Sequence, residues 1–170
     1  MSFFKRMLGS EKRDDLRPLW HATVATSREP EWYAQCDVAD TVDGRFDMIA
    51  LVLALVMLRM EGSEALAPRT ALLTELFVAD MDRQLRDTGV GDLKVGKNIG
   101  KLMEALGGRI GVLRDTLPDK DDAALADVLA RNMRLSSDEP PLPLAARTRA
   151  LHADLAAVPD GALLEGQLRP

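Results

Sequence analysis

The side chains able to do chemistry are few and scattered. Cys36 is the single cysteine, and the two histidines, His21 and His152, lie far apart with no metal-ligand spacing around either. One cysteine excludes an intramolecular disulfide and any zinc site assembled from several cysteines. The chain has no C-x-x-C-H run, so covalent haem attachment through that motif is excluded too. Cys36 would act as a nucleophile only with a base and a group to orient it; a lone cysteine otherwise serves as a small apolar filler. Acidic residues number 27, so many that no carboxylate pair stands out as a general acid and base. Gly91-Asp-Leu-Lys-Val-Gly96-Lys97-Asn98 has the glycine and lysine spacing of a phosphate loop. Asn98 stands where that loop needs a hydroxyl for magnesium, however, and the preceding segment reads as helix rather than buried strand. Neither catalysis nor a bound cofactor is expected.

The elements that must position these residues are helices. Leu and Ala together supply 49 of 170 residues, Val, Ile and Thr only 22, and aromatics 4%. Leu and Ala favour helices, and β-branched and aromatic residues favour strands, so the expected fold is all-α. The length fits a single globular domain with a core of its own. The net charge of -5 disfavours a dedicated nucleic-acid binder, and DNA is not an expected partner. Residues 1–13 nevertheless carry a net +3, which suggests a basic amphipathic N-terminal segment ahead of a helical domain over 14–170. Its Phe3, Phe4, Met7 and Leu8 fit either a frayed terminus or weak contact with an anionic membrane surface. No secretory leader is visible. The longest uncharged apolar run, 48–58, is far short of the roughly 20 residues of a membrane span. The expectation is a cytoplasmic protein that meets a membrane, if at all, peripherally on the cytoplasmic face of the inner membrane.

Periodicity predicts about six helices, near 15–28, 44–61, 68–88, 93–117, 120–134 and 143–157. Pro18 suits the start of the first and Pro30 ends it. Asp43 is the expected N-cap of the second. That helix is apolar on nearly every side from Met48 to Leu58 and must be covered all round, by the other helices or in part by another protein. In the third helix Asp80 falls on the apolar side between Leu73 and Leu76, where a carboxylate needs a partner. In the fourth, Gly96, Gly100, Gly107 and Gly111 share a face, so another backbone is expected to approach closely, from this chain or an external one. Lys94, Lys97 and Lys101 form a basic ridge on another side. Either Asp119 or Asp121 can cap the fifth helix.

Two stretches carry a resemblance. The first is Trp32-Tyr33 followed by Asp40-Thr-Val-Asp-Gly-Arg-Phe-Asp47-Met-Ile-Ala-Leu51. The second is Phe77-Val-Ala-Asp-Met-Asp-Arg-Gln-Leu-Arg86 running into Gly89-Val-Gly-Asp-Leu-Lys-Val-Gly-Lys97. Both resemble the ubiquinol–cytochrome c chaperone family, over about residues 15–135. The resemblance implies an all-α, non-enzymatic assembly factor without a cofactor, whose client is newly made cytochrome b. A small helper protein and the ribosome are further partners it suggests. The residues it singles out for client binding or shape are Trp32, Tyr33, Asp43, Gly44, Arg45, Phe46, Asp80, Asp82, Arg83, Gly89, Gly91 and Lys97. Asp80 is expected to pair with Arg45 or Lys97. Eight methionines and the very apolar central helix suit an adaptable apolar surface. The alternative is a helical protein that binds a small molecule such as quinone or haem.

Overall fold

The run from Met48 to Val56 dictates the architecture, because no side of it can face water. A computed structural model of the chain describes residues 15–170. In it Val42–Glu61 forms helix α3, and every residue from Met48 to Val56 is at most 5% exposed. Helices α1 (Arg17–Ser27), α5 (Asp92–Thr116) and α7 (Leu142–Ala157) pack around it, and α4 (Thr70–Asp87) touches it more lightly. Burying each Leu, Met or Val of this kind is worth about 1.5–3 kcal/mol, so the central helix anchors the whole fold. Short helices α2 (Glu31–Ala34) and α8 (Asp160–Leu164), helix α6 (Asp122–Asn132) and a 3₁₀ turn at Ala67–Arg69 complete the described elements. The all-α fold around a central apolar helix is as expected.

Local chemistry sets the helix ends. The N-cap of α3 is Thr41 rather than the expected Asp43: its hydroxyl accepts from the Gly44 N–H at 3.1 Å, and Asp43 lies within the first turn. Gly44 must be glycine because a Cβ there would come within 1.9 Å of the Ala39 carbonyl oxygen. Asp121 caps α6 by accepting from the backbone of Ala123 and Ala124. Helix α4 ends at a Schellman turn, with Gly89 N–H on the Arg86 carbonyl and Val90 N–H on the Leu85 carbonyl. Gly89 adopts φ +80° there, a conformation that glycine enters without strain.

Just after Pro30, where the periodicity predicts no helix, the short α2 forms and seals the end of α1. The Trp32 indole N–H donates to the Thr26 carbonyl at 2.7 Å and the Tyr33 hydroxyl to the Ser27 carbonyl at 2.8 Å. Carbonyls that α1 leaves without helical donors are thereby satisfied. The Arg147 guanidinium lies 4.6 Å over the Trp32 ring and pairs with Glu29. The C-terminal tail is also integral. Leu163 and Leu168 are buried, and Arg169 binds Glu29 at 2.7 and 3.0 Å.

A buried ionic cluster, invisible in the periodicity, joins α3, α5 and the chain after α6. Arg109 donates to the Asp47 carbonyl at 3.1 Å, to the Asp47 carboxylate at 3.3 Å and to the Asn132 carbonyl. The other carboxylate oxygen of Asp47 accepts from the Arg134 backbone and side chain, both at 3.0 Å. Among the described residues no helix is long and apolar enough to cross a membrane. The expected N-terminal amphipathic segment, residues 1–13, lies outside the described residues.

Candidate functional site

Residues 17, 21, 24 and 28 follow one helical stripe along α1 and onto its C-cap, and they form one wall of a surface groove of about 920 Å³. The facing wall is α4, through Leu76, Ala79, Asp80 and Arg83. Trp20 forms part of the floor and meets Phe77 edge to face at 5.9 Å, which fixes the spacing of the two helices. The floor is apolar (Trp20, Val24, Leu76), whereas the rim carries Arg17, Arg28 and Arg83. Arg28 also lines a second groove of about 460 Å³, with Tyr33, Asp40 and Arg45. The two grooves therefore adjoin at Arg28 and bring Tyr33, Arg45, Asp80 and Arg83 onto neighbouring parts of the surface.

Asp80 sits where the pattern placed it, with a side chain only 14% exposed. Its partner differs from the expectation. The carboxylate is bound by Arg83 one turn along α4 and by the Gln84 amide at 3.3 Å. Arg45 pairs with Asp40 at 2.7 Å, and Lys97 is exposed on α5 without an ion pair among the described residues. The cation one turn away on the same helix reaches Asp80 without bringing two elements together.

The remaining singled-out residues divide by role. Trp32, Gly44, Gly89 and Gly91 shape turns and helix ends, with Gly91 as the N-cap of α5. Phe46 packs against the core. Asp82 holds Arg86 at 2.7 Å, and Arg86 also binds Asp92, so the corner between α4 and α5 is pinned from both sides. Asp43 is exposed and lies 3.8 Å from Arg134. Among the described residues nothing packs against the glycine face of α5: a Cβ at Gly96, Gly100, Gly107 or Gly111 would meet nothing within 4 Å.

The electrostatics around Cys36 do not activate it as a nucleophile. Burial pushes the Cys36 thiol up, and the charged groups acting on it are Arg147 and Glu31 rather than a histidine. A thiol so placed offers little thiolate. Burial likewise raises the Tyr33 hydroxyl, which stays a neutral donor. The hydrogen bond from Arg45 holds Asp40 below the usual carboxylate range. No group of three or more His, Cys, Asp or Glu side chains among the described residues could hold a metal ion. Sequence reasoning missed Arg17 and Arg28, although the spacing 17, 21, 24, 28 was there to mark the wall they share, and it missed Trp20 in the floor.

A family model described as ubiquinol-cytochrome C chaperone matches residues 34–170. A search of curated protein sequences returned no match. Among solved structures the chain is similar to the crystal structure of the Cbp3 homolog from Brucella abortus. Identity is 30%, the TM-score is 0.83, and the match covers 98% of this chain and 94% of that one.

Proposed function

As the chain belongs to the ubiquinol-cytochrome C chaperone family, we propose that it works without catalysis by holding newly made cytochrome b during assembly of ubiquinol–cytochrome c reductase. Family membership supports the chaperone and assembly role. The observation that carries it is the family match across residues 34–170, which spans α3 to the C-terminus. The apolar-floored groove between α1 and α4 supplies a surface suited to the client. An apolar membrane-protein segment can lay its side chains on Trp20, Val24 and Leu76, with its polar edges against Arg28 and the Asp80–Arg83 pair. Tyr33 and Arg45 extend that surface past Arg28. Asp43, exposed and 3.8 Å from Arg134, is available to contact the client or a small helper protein. The ribosome is the other candidate partner. The reading places this work in the cytoplasm, beside the membrane into which cytochrome b is inserted.

Affinity capture of the tagged full-length protein from its native host tests it. Cytochrome b should be enriched over other abundant membrane proteins. The variant A25E/A79E, which puts carboxylates at two exposed positions lining the groove, should fold normally and lose that enrichment. Capture that preserves weak complexes but yields no cytochrome b would overturn the client. Equal capture by the variant would overturn the groove.

A further inference from the structure

Arginine does the internal ion pairing in this protein. Arg17, Arg45, Arg83, Arg109, Arg147 and Arg169, among others, are each tied to a carboxylate. The lysines of α5 are treated differently. Lys94, Lys97 and Lys101 are all exposed, and none makes an ion pair among the described residues. The carboxylates nearest in sequence do not neutralise them: Asp92 is bound by Arg86, and Glu104 pairs with none of the three. Lys94 also lies in the first turn of α5, where the helix dipole disfavours a cation. Winding α5 at about 100° per residue places Leu93, Lys97, Lys101 and Lys94 within one sector of about 100°, which also holds the exposed carboxylate of Glu104 and keeps a net positive charge. Leu93, at the tip of that sector, is 96% exposed. Beside it, no side chain or backbone of the described residues covers Gly96, Gly100 and Gly107.

We propose that this face of the N-terminal half of α5 docks on an anionic phospholipid bilayer. Three unpaired lysines concentrate positive charge on an otherwise acidic chain, complementary to lipid headgroups. Lysine is a compact, hydrated point charge suited to such a surface, whereas the internal pairs use the planar fork of arginine. Leu93 separates a bilayer from a nucleic acid, which offers an apolar side chain no burial, whereas the headgroup–acyl boundary accepts it. A protein partner would be expected to find more than one large apolar side chain in this sector. The inference goes beyond the client reading and stands without it, since lipid binding is measured with no client present.

The test is co-sedimentation of the full-length protein with phosphatidylcholine vesicles containing about 30% phosphatidylglycerol, beside pure phosphatidylcholine vesicles. Binding should require the anionic lipid and weaken as salt is raised. Each lysine contributes about fivefold, so K94Q/K97Q/K101Q should bind about 100-fold more weakly. L93S should lose about tenfold. All four side chains are exposed, so the variants should keep the wild-type melting temperature. A parallel variant, K5Q/R6Q/K12Q/R13Q, separates the basic residues near the N-terminus from α5. The proposal is overturned if wild type ignores the anionic vesicles. It is equally overturned if the α5 triple variant binds them as wild type does, including where only the N-terminal variant loses binding. Retained capture of cytochrome b by a variant that no longer binds vesicles would leave the client reading intact.

Discussion

Removal of the Asp47 carboxylate should strand the buried Arg109 guanidinium and destabilise the fold. Arg109 is 4% exposed, and burial alone pushes its pKa down while the charge and hydrogen bond of Asp47 push it back up. Its Nε has no partner, so the guanidinium relies on Asp47 and the Asn132 carbonyl. A buried pair of this kind adds little net stability, but deleting one member strands the other and costs about 3–5 kcal/mol. D47A also takes the acceptor from the Arg134 backbone N–H, which places the expected loss near 4 kcal/mol. For a domain of this size each kcal/mol lowers the melting temperature by about 2–4 °C, so D47A should melt about 8–16 °C below wild type. Urea and thermal denaturation followed by circular dichroism read both quantities. Removing the stranded charge as well should recover stability: D47A/R109M should be at least about 2 kcal/mol more stable than the sum of the single changes. A D47A midpoint within about 3 °C of wild type, or single effects that add within about 0.5 kcal/mol, would refute the reasoning.

Other outcomes follow from the same geometry. Burial raises Glu29, but the hydrogen bonds from Arg169 and Arg147 outweigh it and hold the carboxyl low; the Ser63 hydroxyl and Arg59 hold Asp160 low as well. Depressed acids stabilise the fold above their unfolded pKa and lose that contribution as pH falls through the folded one, so the melting temperature should drop below about pH 4.5, with a shallower drop in E29Q. Burial and Arg149 keep His152 neutral in the fold. The unfolded chain then takes up that proton first, so stability should already decline below about pH 6.5, and H152Q should remove this earlier phase. Among the glycines, G44A should lose more than about 2 kcal/mol because its Cβ would strike the Ala39 carbonyl, whereas G100A meets open space and should gain up to about 1 kcal/mol in helix stability. A G44A loss below about 0.5 kcal/mol in chemical denaturation would show that the close approach at Gly44 is not what holds that turn.

Much of the fold was legible because helices announce themselves by period and punctuation. The apolar run of α3, Pro18 and the acidic residues before Asp122 each pointed to a real element within two or three residues. What was not legible depended on contacts distant in sequence. Trp32 and Tyr33 follow the proline that ends the first predicted helix, and nothing in the sequence pattern shows their N–H and O–H groups closing the end of α1. Asp47 and Arg109 are 62 residues apart, and nothing in either helical pattern links them. The site was half legible. The resemblance led to Tyr33, Arg45, Asp80 and Arg83, which do line adjoining grooves. The wall supplied by α1 lay outside the motifs. Asp80 was rightly read as an acid needing a partner, but the partner was one turn away rather than across the fold. The glycine face of α5 suggested close helix packing, yet its neighbouring space is open.

Site-specific photo-crosslinking in the native host tests the central claim most directly. A photoreactive residue is placed in the full-length protein at Ala25 or Ala79, inside the groove, or at exposed Leu142, outside it. The account predicts cytochrome b adducts from positions 25 and 79 and little or none from 142. No cytochrome b adduct from either groove position, or equal adducts from all three, would contradict it.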